Sequence, residues 1–165
     1  MARLDAVDPT FKQDLLHSVA HVNAVAKKLR EKGYTVEVPE TECRPTSAQW
    51  RQYSDDGDMI VNGERVEVKE RRFTFETLDQ FPYPTCIVDT KHAVDKMLAD
   101  ERPPLCHIIT NKGGTCCFVV PFTTKAEWEV KTKYDRYRNR QRTLYEAPMN
   151  SACDFDTYFP SLIKV

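Results

Sequence analysis

The sequence lacks an apolar leader, a membrane-length run and any repeated metal-binding spacing. Its start, Met1-Ala-Arg-Leu-Asp-Ala-Val-Asp-Pro9, holds no hydrophobic h-region, and no stretch approaches the ~20 apolar residues that span a bilayer. A cytosolic protein is expected, neither secreted nor in a membrane. The six cysteines (Cys43, Cys86, Cys106, Cys116, Cys117, Cys153) show no repeated C-x-x-C spacing, which argues against a zinc ribbon or a disulfide framework and leaves reduced core thiols. Also missing are a Gly-rich phosphate loop, an H-E-x-x-H pair, internal repeats and low-complexity segments. With a net charge of −1 there is no global attraction to nucleic acid, so any such binding needs a local basic patch.

What is there suits one domain over residues 1–165, with 41% hydrophobic and 30% charged residues. The densest signal lies at 55–72. Met59-Ile60-Val61 and Arg65-Val66-Glu67-Val68-Lys69 flank Asn62-Gly63, and Asn-Gly between β-prone runs predicts a type I′ hairpin, whose central residues both need positive φ. A two-residue loop sets the register: Val61 opposite Glu64, Ile60 opposite Arg65, Met59 opposite Val66, Asp58 opposite Glu67. Alternation then puts Glu67, Lys69 and Arg71 on one face, and Val66 and Val68 on the other with Met59 and Val61. Like charges directly opposite cost roughly 0.2–1 kcal/mol, so the Asp58/Glu67 pair asks for a reason. A divalent cation supplies one, because Mg²⁺ takes one or two carboxylates plus water and phosphate oxygens, and an adjacent Lys can hold the attacking water. An exposed hairpin edge carrying acids for solubility is the other reading.

Asp58 followed across a short hairpin by Glu67-Val68-Lys69 resembles the core of the PD-(D/E)XK nuclease superfamily, with Gly57 where that motif usually has Pro. The match covers roughly residues 12–122, and its motif is short. It implies an α/β fold with a restriction endonuclease-like core: a mixed central β-sheet flanked by helices, built from a helix, a three-stranded meander, a second helix and further strands. It further implies Mg²⁺-dependent hydrolysis of DNA phosphodiesters, with Mn²⁺ able to substitute. Asp58 and Glu67 would be metal ligands, the Val68 carbonyl a further ligand, and Lys69 the residue that positions water. The small size resembles nucleases of phages and mobile elements, and many superfamily members are homodimers.

Along the rest of the chain, Leu15, Val19, Val22, Ala26 and Leu29 predict a helix over 11–32, stopped by Gly33, then a strand over 34–38. Many superfamily members carry a Glu on this helix, and none occurs here before Glu31. At ~100° per residue, Asp14 and His21 lie about 20° apart on the flank of the apolar stripe, the candidates for an additional site. Polar residues bordering a core face explain them as well. Residues 39–56 read as a polar loop with a short helix near 46–53, containing Glu40, Glu42 and Trp50. The strand after Lys69 is expected to continue to Phe75, with Arg71 gripping a phosphate. A fourth strand at 85–89 leads to a helix over 91–100 capped by Thr90, where Lys91 and His92 could receive phosphate. Two apolar strands, 105–109 and 115–120, form a buried hairpin at the back of the sheet, which makes His107 structural.

Beyond this core lies a basic and aromatic extension, 123–165. Its stretch 125–145 interleaves Lys131, Lys133, Arg136, Arg138, Arg140 and Arg142 with Tyr134 and Tyr137, a pattern suited to backbone contact and stacking on DNA, or to a plain solvated edge. The expected function is a metal-dependent DNA nuclease. The alternative is a catalytically inactive nuclease fold that binds DNA or a protein partner, which the missing helix Glu favours.

Overall fold

A computed structural model describes residues 9–39, 58–136 and 139–163, with side chains in the first helix described from residue 19 onward. That helix, α1 (Pro9–Glu31), carries Lys28 and Arg30 in its last turn, where cations complement the helix dipole. Gly33 follows at φ +97°, and a Cβ there would lie 3.2 Å from the Leu162 side chain, so both backbone and packing require glycine.

Three strands come next: β1 (Val36–Glu37), β2 (Met59–Val61) and β3 (Glu64–Glu70). Asn62 and Gly63 have φ of +48° and +85°, as a type I′ turn demands, and the ladder pairs Met59 with Val66, Ile60 with Arg65 and Val61 with Glu64. The remaining elements are β4 (Thr85–Thr90), α2 (Lys91–Ala99), β5 (Cys106–Thr110), β6 (Cys117–Pro121), β7 (Glu129–Asp135), β8 (Arg140–Pro148), β9 (Cys153–Asp154) and a single-turn α3 (Phe155–Tyr158).

The chain is a mixed α/β protein. Its main sheet has the order β1-β2-β3-β5-β6-β9, antiparallel except for the parallel β3/β5 pair. A second, antiparallel sheet has the order β4-β8-β7. One face of the main sheet, through Val66, Val68, Cys106, Ile108 and Val119, packs on Val22, Val25, Ala26 and Leu29 of α1 and on Phe155 and Phe159. The other face, through Ile109, Phe118 and Val120, packs on Cys86, Val88, Tyr145 and Ala147 of the second sheet and on Val94 of α2. Fully burying an aliphatic side chain contributes about 1.5–3 kcal/mol, so two apolar faces hold the three layers together.

Three expectations need correction. The strand after Lys69 ends at Glu70 and does not reach Phe75: the Arg71 N–H still bonds the Thr110 carbonyl at 2.8 Å, but the chain then swings away to bury Phe75 against Phe81 and Phe118. The fourth strand does not extend the main sheet; it opens the second one. Hairpin β5–β6 is central, between β3 and β9, and not at the back. The described residues after 122 pack into these layers: β8 pairs with β4, Phe155 and Phe159 close the α1 layer, and the Leu162 N–H bonds the Lys32 carbonyl at 2.7 Å.

Candidate functional site

Alternation along β3 sends Arg65, Glu67, Lys69 and Arg71 toward the second sheet while Val66, Val68 and Glu70 face α1. Asp58 sits just before the first ladder pair, and its Oδ2 accepts the Val68 N–H at 2.7 Å. This bond sets the Asp58 carboxylate beside that of Glu67. Glu67 is 4% exposed and its Oε1 accepts from Arg65 Nε at 3.1 Å. Burial first, and the neighbouring Asp58 carboxylate second, push the Glu67 carboxyl well above its ordinary pKa, despite Lys69 and Arg65.

Lys69 reaches across the layers to β4, its Nζ 3.4 Å from Asp89 Oδ2. The Asp89 carboxylate is the chief cause of a raised pKa at Lys69, outweighing burial, so Lys69 remains an ammonium near neutrality. It can orient a water or stabilise developing negative charge there, and it cannot take a proton. Burial disfavours ionised Asp89, but Lys69, His107 and the Thr90 N–H, which donates to Oδ1 at 2.8 Å, together hold it well below the usual carboxylate range. Beneath it lies His107, fully buried, edge-on to Trp128 and with Nε2 3.5 Å from Asp89 Oδ2, too long for a hydrogen bond. Burial lowers the His107 pKa, which keeps the ring neutral. Among the described residues, neither ring nitrogen of His107, nor Asp89 Oδ2, has a hydrogen-bond partner. Such buried orphans are uncommon in folded proteins.

A β-bulge turns Asp89 inward. Ile87 pairs with Glu146 and Asp89 with Tyr145, leaving Val88 as the extra residue, so Val88 and Asp89 both face the main sheet. The carbonyls freed there are taken by Arg71, whose Nε bonds the Ile87 oxygen at 3.0 Å and whose Nη2 bonds both that oxygen and the Val88 oxygen, the latter at 3.2 Å. Its Nη1 bonds the Glu70 carbonyl at 2.9 Å. The expected phosphate grip by Arg71 therefore does not hold, because its donors brace the bulge.

Asp58, Glu67, Val68 and Lys69 are thus brought together, and other candidates are not. His21 lies across the sheet, with Nε2 2.9 Å from Glu70 Oε2 and Nδ1 3.1 Å from Thr110 Oγ1, because α1 packs on the Val66/Val68 face. The expectation that it turns toward Asp58 and Glu67 is corrected accordingly. The side chain of Asp14, all of Arg138, and the loop with Glu40, Glu42, Trp50 and its expected short helix lie outside the described residues. Lys91 pairs with Asp95 on its own helix, Lys133 Nζ donates to Glu146 at 2.6 Å, and Arg136 is exposed. Between the start of α2 and β8 lies a cleft of about 610 Å³, bordered by Lys91, His92, Arg140, Gln141, Arg142 and Thr143.

Two residues escaped the sequence reading. Arg65 was legible, since the alternation that groups Glu67, Lys69 and Arg71 includes it. Asp89 had no local signal, since its direction depends on the bulge.

Among the described residues no set of three or more His, Cys, Asp and Glu could hold a metal; Asp58 and Glu67 are the paired carboxylates the hairpin offers. No helix among them is long and apolar enough to cross a membrane. Comparison of the chain with protein-family models, curated proteins and solved structures finds no match.

Proposed function

We propose that this chain is a Mg²⁺-dependent nuclease whose hairpin site and surrounding layers resemble the restriction endonuclease-like core of the PD-(D/E)XK superfamily. The observation that carries the reading is the buried Glu67 carboxylate beside Asp58, with the Lys69 ammonium on the same strand face. Two adjacent carboxylates with little solvent repel one another, which fits a donor set awaiting a hard cation whose remaining ligands are water and phosphate. A cation bound there supplies positive charge to the phosphate and makes a bound water more acidic. Lys69, kept charged by Asp89, holds the attacking water by hydrogen bonding and stabilises charge on the phosphoryl oxygens. Asp58 is oriented by the Val68 N–H, so the main chain of the motif itself aims the carboxylate. Nucleic acid, with DNA as the expected form, is the substrate class that this resemblance suggests.

A second reading, a binding module on the same fold without catalysis, draws on the Arg65–Glu67 ion pair at 3.1 Å, in which a resident cation already neutralises the acid. Cleavage of supercoiled, linear and single-stranded DNA in Mg²⁺ or Mn²⁺, with Asp58→Ala and Lys69→Ala beside wild type, separates the two. Cleavage lost in both variants supports the enzyme. Wild type inert on all three DNAs rejects it, and activity surviving both substitutions places the chemistry elsewhere.

A further inference from the structure

Strand β8 outruns its neighbour β4. The β4 ladder ends where Thr90 pairs with Leu144, and among the described residues no strand adjoins 140–143 on that side, so this stretch is paired with β7 alone. Where β4 would have continued, α2 begins instead, and the cleft of about 610 Å³ opens between its first turn and the edge of β8. Lys91, His92 and Asp95 wall one side, Arg140, Arg142 and Thr143 the other. The two walls are tied together at the inner end by the Thr90/Leu144 pairing and by Tyr145, whose hydroxyl donates to Asp95 Oδ1 at 2.8 Å.

The charge of this cleft is positive. Asp95 is its one acid among the described residues, and both its oxygens are engaged, Oδ2 by Lys91 and Oδ1 by Tyr145. Against it stand Lys91, Arg140 and Arg142. Arg142 reaches Asp135 at 3.2 Å, which leaves Arg140, the cross-strand neighbour of that same acid, exposed and without an ion pair among the described residues. The Lys91–Asp95 and Arg142–Asp135 pairs are partly exposed, the kind that contributes little and exchanges for phosphate. Arg140 and Arg142 leave the same strand face about 7 Å apart along the chain, and each guanidinium fork matches the oxygens of a phosphate. No Phe, Tyr, Trp or aliphatic side chain lines the cleft among the described residues, so a base finds no aromatic to stack on. An extended peptide pairing with this edge would meet only residues 140–143, less than a usual strand of about 5–6 residues. The chemistry favoured is therefore phosphate without base. The cleft also lies one residue from the hairpin site, because Thr90 on its wall follows Asp89, the partner of Lys69.

We infer that this cleft grips the sugar–phosphate backbone of a nucleic acid through Arg140, Arg142 and Lys91, by charge and not by sequence, and so anchors the substrate beside the hairpin site. The inference rests on the nuclease reading for what happens to that substrate, and its test does not use cleavage. Fluorescence anisotropy of labelled oligonucleotides of two unrelated sequences, single-stranded and annealed as duplexes, is measured in EDTA over a salt series. Arg140→Gln is expected to lower the slope of log affinity on log salt by about one for both sequences, in single strand and duplex alike. Lys91→Gln added to it lowers the slope further. Lys27→Gln, on an exposed position of α1, makes the same charge change outside the cleft and should leave the slope unchanged. Thermal melts that match wild type exclude misfolding of the variants. Wild type that does not bind, an unchanged slope in Arg140→Gln, an equal drop in Lys27→Gln, or a loss confined to one sequence overturns the inference. Pyrophosphate that displaces the oligonucleotide where chloride of equal ionic strength does not, with this effect lost in Arg140→Gln, would assign the cleft to a free phosphate compound and overturn the backbone assignment. Failure of the nuclease reading appears separately, as salt-dependent binding that persists without cleavage in Mg²⁺.

Discussion

The two faces of β3 treat their polar side chains in opposite ways. Toward α1, Glu70, His21 and Thr110 form a closed chain: the Glu70 carboxylate meets one ring nitrogen of His21 at 2.9 Å and the Thr110 hydroxyl meets the other at 3.1 Å. Toward the second sheet, Glu67 sits beside the Asp58 carboxylate with Arg65 as its ion-pair partner, and among the described residues Asp89 Oδ2 and both His107 nitrogens lack hydrogen bonds. His21 and Thr110 are as buried as Glu67, Asp89 and His107, so burial alone does not make the difference. A folded core normally hydrogen-bonds its polar atoms, and the face that leaves some of them without such bonds is the one whose energetics a ligand can complete. The first face is structural polarity, and the second is where chemistry is sought.

The largest test of that contrast compares cleavage across the sheet. Lys69→Ala is expected to lower the rate by about 10²–10³-fold or more, as for loss of one group that stabilises transition-state charge, while His21→Gln leaves the rate within a few-fold. Equal losses from both would erase the functional distinction between the faces.

Next in size is stability. Asp89→Asn is expected to destabilise the protein at pH 7 by about 1–3 kcal/mol, less than for a fully buried pair because Lys69 is 31% exposed. The sign with pH follows from linkage. The folded protein holds Asp89 below its ordinary 3.8, so this stabilisation is present above that value and is lost as pH falls through and below it. Chemical denaturation of wild type and variant at pH 7 and near pH 3 should show the gap closing in acid; a gap that widens would contradict the Lys69–Asp89 pairing.

His21→Ala removes the ring that joins Glu70 to Thr110, at a cost of about 1–3 kcal/mol, without altering DNA cleavage. A thermal melt paired with an activity assay reads both halves of that statement.

Smallest is Glu67→Gln. Removing a like charge from beside Asp58 should raise metal-free stability at pH 7 by roughly 0.2–1 kcal/mol. Because Glu67 titrates above its ordinary 4.5 in the folded state, its favourable contribution is complete below that pH and is lost as pH rises through the folded value, so the gain from Gln fades in acid. Added Mg²⁺ should stabilise wild type and not this variant. Destabilisation by Gln at pH 7 would mean that the Arg65 pair outweighs the repulsion.

Much of the hairpin was legible because its determinants are local. Asn62 and Gly63 accept positive φ at low cost, and a two-residue turn leaves one register for Met59 to Val66. Thr90 before α2 was legible for the same reason, and its Oγ1 accepts the Ala93 N–H at 3.1 Å. Arg71 and His21 were misjudged because periodicity names a face and not the neighbour that meets it. Arg71 shares the face of Lys69 as expected, yet its guanidinium is claimed by carbonyls that only a distant bulge exposes. The basic run was visible by composition, but whether each cation is paired depends on strand register: Lys133 meets Glu146 and Arg142 meets Asp135 across a hairpin that sequence alone left between helix and strand.

By itself, then, the sequence determined α1 and its glycine stop, the β2–β3 turn and register, the shared face of Glu67 and Lys69, and the cap of α2, all set by steric and hydrogen-bonding preferences within a few residues. Only the tertiary structure decided that β4 leaves the main sheet, that Val88 bulges so Asp89 turns to Lys69, and that Arg140 and Arg142 border a cleft with the start of α2. Those outcomes depend on which apolar faces pack together across the layers, and such pairings between distant segments are selected by the burial of the whole core and not by any local stretch of chain.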